Sequence, residues 1–161
     1  MGRIVVGVDG SEPSRRALAW AAAYAEHMGA DLQVLMVWDD PGRDMWIPHV
    51  PPQADPLALT RQAVRRTVDA VLGEEPAVRV EPMAVEGAPA RTLVEAAHGA
   101  DLLVVGNRGK GGFAGVHLGS VSTQCVSHAP CPVVVVRGEV HGIGPVARED
   151  EPGDQLPDRQ D

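Results

Sequence analysis

Asp101-Leu102-Leu103-Val104-Val105-Gly106-Asn107-Arg108-Gly109-Lys110-Gly111-Gly112-Phe113-Ala114-Gly115-Val116-His117-Leu118-Gly119-Ser120 is the stretch that decides the architecture. Its first five residues are an apolar run and predict a buried strand. Its last residue opens Ser120-Val121-Ser122-Thr123-Gln124-Cys125-Val126, which predicts the start of a helix. A glycine-rich connection between strand and helix suits an anion. Glycines let the backbone approach closely, and the unbonded amides of a helix start point at negative charge.

Outward from this segment, the chain repeats the same alternation. Arg3 to Val8 is a β-branched strand, broken by Asp9-Gly10-Ser11. Ser11, with Pro13 in the first turn, starts a helix in which Leu18, Ala21, Ala22, Ala25 and Met28 recur at helical spacing until Gly29 stops it. Leu32 to Trp38 is a second strand. Asp39 to Pro56 holds five prolines and little periodicity, and predicts a long loop. A helix follows over Leu57 to Leu72, with Val64, Val68 and Val71 on one face and Arg61, Arg65 and Arg66 off it. Val78 to Glu86 alternates more than the other strands, as a sheet edge does. Gly87-Ala88-Pro89 opens a third helix with Leu93, Val94 and Ala97 inward. Ser120 to His128 is the fourth helix, and Pro132 to Val136 the fifth strand.

This βαβαβαβαβ pattern predicts a single α/β domain over residues 1–137. Its five strands form a parallel sheet of order 3-2-1-4-5, with helices on both faces. Ligands of such sheets sit at the carboxyl ends of the strands where strand order reverses, between the first and fourth strands here. Asp9 would lie on one side of that crevice and the glycine run on the other.

Composition narrows the function. The chain of 161 residues is 44% apolar but only 3% aromatic, so its core must be aliphatic. The formal charge is −8, of which −5 falls on residues 138–161. That acidic, Pro- and Gly-rich stretch predicts a disordered tail. No basic footprint marks a nucleic-acid binder. No apolar run approaches the roughly 20 residues that span a bilayer, and Met1-Gly2-Arg3 leads straight into a strand. The expectation is a cytoplasmic protein with no membrane partner. Cys125 and Cys131 have neither CxxC nor zinc spacing and predict two reduced thiols.

Two common phosphate loops fail here. Walker A needs Ser or Thr after Gly109-Lys110 and a glycine at position 104, where the chain has Gly111 and Val104. A dinucleotide GxGxxG should follow the first strand, where Asp9-Gly10-Ser11 stands instead. What fits is Gly106, two residues, Gly109, nine residues, then Gly119-Ser120. This spacing resembles the nucleotide-binding signature of the universal stress protein family. Ile4 to Ser11 looks like that family's opening strand and turn, and Pro130-Cys131-Pro132-Val133-Val134-Val135-Val136 like its final strand. The resemblance implies a Rossmann-like fold of the adenine nucleotide alpha hydrolase-like kind. It also implies a bound ATP, with or without Mg, and a homodimer through the fifth strand.

Carried over position by position, the resemblance implies roles. Asp9 faces the ribose or the metal-phosphate region, and Val37 and Val105 bracket the adenine. Gly106 and Gly109 lie against ribose and phosphate. Gly119, Ser120, Val121 and Ser122 offer amides and hydroxyls to phosphate, and Arg108 and Lys110 supply positive charge. Asn107, often Ser in the family, and His117, often apolar, depart from the pattern. Blander readings stand beside these. Loop glycines serve as flexible links, Ser120 as a helix cap, and Asp9 as a carboxylate complementing the first helix.

Of His27, His49, His98, His117, His128 and His141, none forms an HxxxH or HExxH pair, and only His117 lies in the phosphate loop. No GxSxG marks a nucleophile. Asp39-Asp40 and Glu74-Glu75 read as solvated charge, and Trp46 is a candidate lid. With no metal-ligand cluster and no base near the loop except Asp9, the sequence favours an ATP-binding regulatory module in stress response. A slow ATP hydrolase or phosphotransferase and a nucleotide-free dimeric scaffold are the alternatives.

Overall fold

The computed structural model describes residues 2–39, 55–109 and 118–138. In chain order the elements are β1 (Arg3–Val8), α1 (Glu12–Met28), β2 (Asp31–Trp38), α2 (Pro56–Leu72), β3 (Val80–Glu86), α3 (Pro89–Ala96), β4 (Leu102–Gly106), α4 (Ser120–His128) and β5 (Val133–Val136). The strands form one parallel sheet of order β3-β2-β1-β4-β5, as the alternation predicts.

Side chains alternate across the sheet, so each strand feeds two cores. Ile4, Val6, Leu32, Val34 and Val104 pack with Leu18 and Ala21 of α1 and Val64 and Val68 of α2. Val5, Leu35, Leu103 and Val105 pack on the other face with Leu93, Ala97 and Cys125. Small residues on α1 (Ala17, Ala21, Ala25, all fully buried) let that helix lie close on the sheet.

Local chemistry sets the boundaries. The Ser11 hydroxyl accepts from the Ser14 amide, and Gly29, at φ 62°, closes α1 in the left-handed region. Met28, expected on the buried stripe, is the last residue of the helix and is 58% exposed. Asp55 caps α2 by accepting from the Leu57 amide at 3.0 Å, so that helix starts at Pro56. Gly106 is the last residue of β4 rather than the first of a loop. Its register partner is Val136, whose carbonyl then accepts from the Asn107 amide at 3.0 Å. Among the described residues no helix is long and apolar enough to cross a membrane.

Candidate functional site

β1 pairs with β2 as far as Val8↔Met36, but its pairing with β4 stops at Val6↔Val104. Beyond that pair the two strands lead to connections on opposite faces of the sheet, and a cleft of about 350 Å³ lies at their carboxyl ends. All ten site positions drawn from the sequence line it: Asp9, Val37, Val105, Gly106, Arg108, Gly109, Gly119, Ser120, Val121 and Ser122.

The polar side of the cleft is the start of α4. The first amides of a helix have no intrahelical acceptor, and Ser120, Val121 and Ser122 occupy that first turn. Gly119 is the cap and has no side chain to satisfy them. Its own amide is committed, donating to the Asn107 carbonyl at 2.8 Å. The Ser122 hydroxyl is committed too, donating to the Gly106 carbonyl at 2.6 Å. The cradle therefore consists of three backbone amides, with Arg108 beside them. The expected contribution of the Gly119 amide and the Ser122 hydroxyl proton is taken up by the protein itself.

Asp9 divides its carboxylate between two roles. Oδ1 accepts from the Ser11 amide at 2.9 Å and the Ser11 hydroxyl at 2.5 Å, which fixes the turn into α1. The Asp9 amide donates to Ser14 Oγ at 3.3 Å, and that hydroxyl donates to the Ser11 carbonyl at 2.9 Å. Oδ2 lies on the side of Gly109, 2.7 Å from where a Cβ on that glycine would sit. The helix-start reading of Asp9 and its position in the cleft are thus both visible.

Gly106 has a second reason to be glycine. A Cβ there would lie 2.8 Å from the Pro13 carbonyl carbon and 3.0 Å from the Ser14 amide nitrogen. The start of α1 packs directly on β4 through this gap, which holds Ser14 at the cleft wall.

The opposite end of the cleft is apolar, with Leu35 and Val37 of β2, Val105 of β4, and Pro89 and Leu93 of α3. Gly7, Val8, Ser14, Leu35, Pro89 and Leu93 also line it, none of them assigned to the site from the sequence. Leu35 and Leu93 carry the pattern of core residues, and they are also buried. Lys110, His117, Trp46 and the segment 139–161 lie outside the described residues. His27, His98 and His128 are exposed and do not line the cleft. Among the described residues no three His, Cys, Asp or Glu side chains gather as a metal site. Cys125 and Cys131 are free thiols away from the cleft. Burial pushes the Cys125 thiol up to about 11. Burial also raises Cys131, against a lowering hydrogen bond from the Leu103 backbone.

Comparison with known proteins follows the same outline. The model of the universal stress protein family matches residues 1–137. A universal stress protein of Mycolicibacterium smegmatis is 38% identical over 142 residues, covering 83% of this chain and 45% of the relative. The chain thus spans about half the length of the curated relatives it first matches. Among solved structures, the universal stress protein UspA of Lactobacillus plantarum is 29% identical, with a TM-score of 0.68 over 84% of this chain and 97% of its own. A universal stress protein solved in complex with cAMP is 27% identical, with a TM-score of 0.63 over 84% and 97% of the two chains.

Proposed function

The chain belongs to the universal stress protein family, and on that premise we propose that its cleft binds an adenine nucleotide, ATP with its magnesium ion, as a cytoplasmic binding module in stress response. The observation that carries this reading is the division of the cleft. Three amides at the start of α4 stand at one end, where Arg108 also lines the cleft, and an aliphatic slot between Val37, Leu93 and Val105 at the other. A phosphate chain suits the first and a flat purine the second. That a relative was solved with cAMP supports an adenine ligand.

A magnesium ion takes hard oxygen ligands, mostly water and phosphate. Among the described cleft residues Asp9 is the one carboxylate, so it is the residue that would hold the ion. When bound, the ion neutralises phosphate charge. Asp9 is also the one described candidate to orient an attacking water, and its Oδ1 already accepts two bonds from Ser11. A phosphate cradle without a dedicated water-positioning group among the described residues favours binding over hydrolysis. The reading includes a homodimer through β5, whose outer edge has no strand partner among the described residues.

Mass spectrometry of the purified protein, with calorimetry against ATP, ADP, AMP and cAMP, tests the proposal. Bound adenine nucleotide, at least tenfold weaker binding in Arg108→Ala, and turnover at trace level are expected. Absence of binding to all four nucleotides overturns the nucleotide reading, and sustained turnover overturns the module reading.

A further inference from the structure

We propose that the acidic segment 149–154 of this chain docks on the arginine face of α2 in the same molecule. The inference is independent of what the cleft binds.

Helical spacing builds that face. α2 turns Thr60, Val64, Thr67 and Val68 inward, and all four are buried. With about 100° per residue, Arg61, Arg65 and Arg66 spread over the outer side, and all three are exposed. Leu59, two turns before Arg66 and about 20° from it, is 57% exposed. Arg61 and Arg65 are four residues apart, so like charges are neighbours. That pairing disfavours a helix unless an anion lies beside it. Asp69 is the one acid within α2, and it makes no ion pair with the three arginines. By contrast Arg16, Arg79 and Arg91 stand 3.5, 3.9 and 2.9 Å from Glu12, Asp31 and Glu95. Among the described residues the arginines of α2 have no such partner.

The chain carries the complementary charge beyond β5. Residues 138–161 hold a net charge of −5, with Glu149-Asp150-Glu151 consecutive and Asp154 three further on. Leu156 follows and suits the exposed Leu59. The distance is within reach. β2 and β3 are parallel, so α2 runs back between them and its first turns stand at the carboxyl ends of the strands. Gly138 follows β5 at that same end. Strand order puts β5 three places from β2 and four from β3, about 14–19 Å across the sheet. The 11 residues from Gly138 to Glu149 span up to about 36 Å when extended, enough to pass over α1.

An outside polyanion is the weaker occupant, because a chain of net charge −8 repels it. Each exposed ion pair contributes little alone. A tethered segment, however, meets the face at an effective concentration on the order of millimolar, so several pairs act together. Their dependence on salt follows from their exposure.

NMR and limited proteolysis of the full chain at low salt test this. Neutralising the segment with Glu149→Gln, Asp150→Asn and Glu151→Gln should shift amide resonances of α2 between Leu59 and Asp69. A glutamate-specific protease should cut after Glu149 at least fivefold more slowly in the wild type than in the combined variant Arg61→Gln, Arg65→Gln, Arg66→Gln. The difference should vanish near about 1 M salt, where the Debye length falls to about 3 Å. The three arginines are at the surface, so their variant keeps the fold, checked by circular dichroism. Heparin, a soluble polyanion, should bind the neutralised variant at least fivefold more tightly than the wild type. Amide shifts confined to residues outside α2 overturn the docking site. A cleavage rate that falls as protein concentration rises assigns the contact to a second copy and overturns the intramolecular reading. Equal cleavage in the wild type and the arginine variant, or equal heparin affinity with and without the acids, shows an open face and overturns the docking.

Discussion

Gly106 and Pro13 meet backbone to backbone: a Cβ on Gly106 would stand 2.9 Å from the Pro13 carbonyl oxygen. The end of β4 and the start of α1 are therefore one packed unit, and two walls of the cleft share it.

Gly106→Ala forces that unit apart. Main chain, unlike a side-chain tip, has no rotamer to escape into, so the expected cost is about 2–3 kcal/mol. Urea unfolding measures it. A loss under 0.5 kcal/mol would show that α1 shifts freely.

Gly109→Ala acts differently, because its new Cβ would meet the Asp9 carboxylate at 2.7 Å. Asp9 can rotate, so the melting temperature should fall by no more than about 4 °C. Nucleotide affinity should fall about tenfold, since Asp9 and the loop lose their relative placement. In Asp9→Ala the same glycine change should cost much less, a non-additivity that calorimetry on the four-member cycle detects. Full additivity would deny the contact.

Ser122→Ala removes the donor to the buried Gly106 carbonyl. An unsatisfied buried acceptor costs about 1–3 kcal/mol. Because the amide of Ser122 and not its hydroxyl proton is open to a ligand, affinity for ATP should change less than threefold. Thermal melts and calorimetry separate the two effects.

Alkaline pH exposes the Cys125 thiol. Its folded value is raised from 9.0 to about 11, so the unfolded chain loses this proton first. The stabilisation, about 2–3 kcal/mol, is fully present below pH 9 and is lost as pH rises through 11. Stability curves from pH 8 to 11 should fall more steeply for the wild type than for Cys125→Ala. At pH 8 a thiol reagent should label Cys131 before Cys125, which is fully buried.

The fold was legible because each strand and helix carries its own local signal. Ser11 and Pro13 announce α1, Gly29 ends it, and the Val133–Val136 run marks an apolar strand. The ten cleft positions came together because strand order puts the ends of β1 and β4 side by side. Leu35 and Leu93 read only as strand and inward helix residues, since a leucine lining an aliphatic slot has the same spacing as one filling a core. Gly106 read as part of a loop because no sequence pattern records the helix packed against it. That the Gly119 amide belongs to Asn107 is equally invisible, being a contact between residues twelve apart whose side chains take no part.

That last contact is one half of a pair. The Val136 carbonyl accepts from the Asn107 amide, and the Asn107 carbonyl accepts from the Gly119 amide. Both links are main chain to main chain, so they survive exchange of the residue between them. Asn107 can be replaced by serine, the residue common at this place in the family it resembles, without moving the start of α4. Backbone geometry anchored this way is inherited from topology, which frees the surrounding side chains to vary while the first turn of α4 keeps its place.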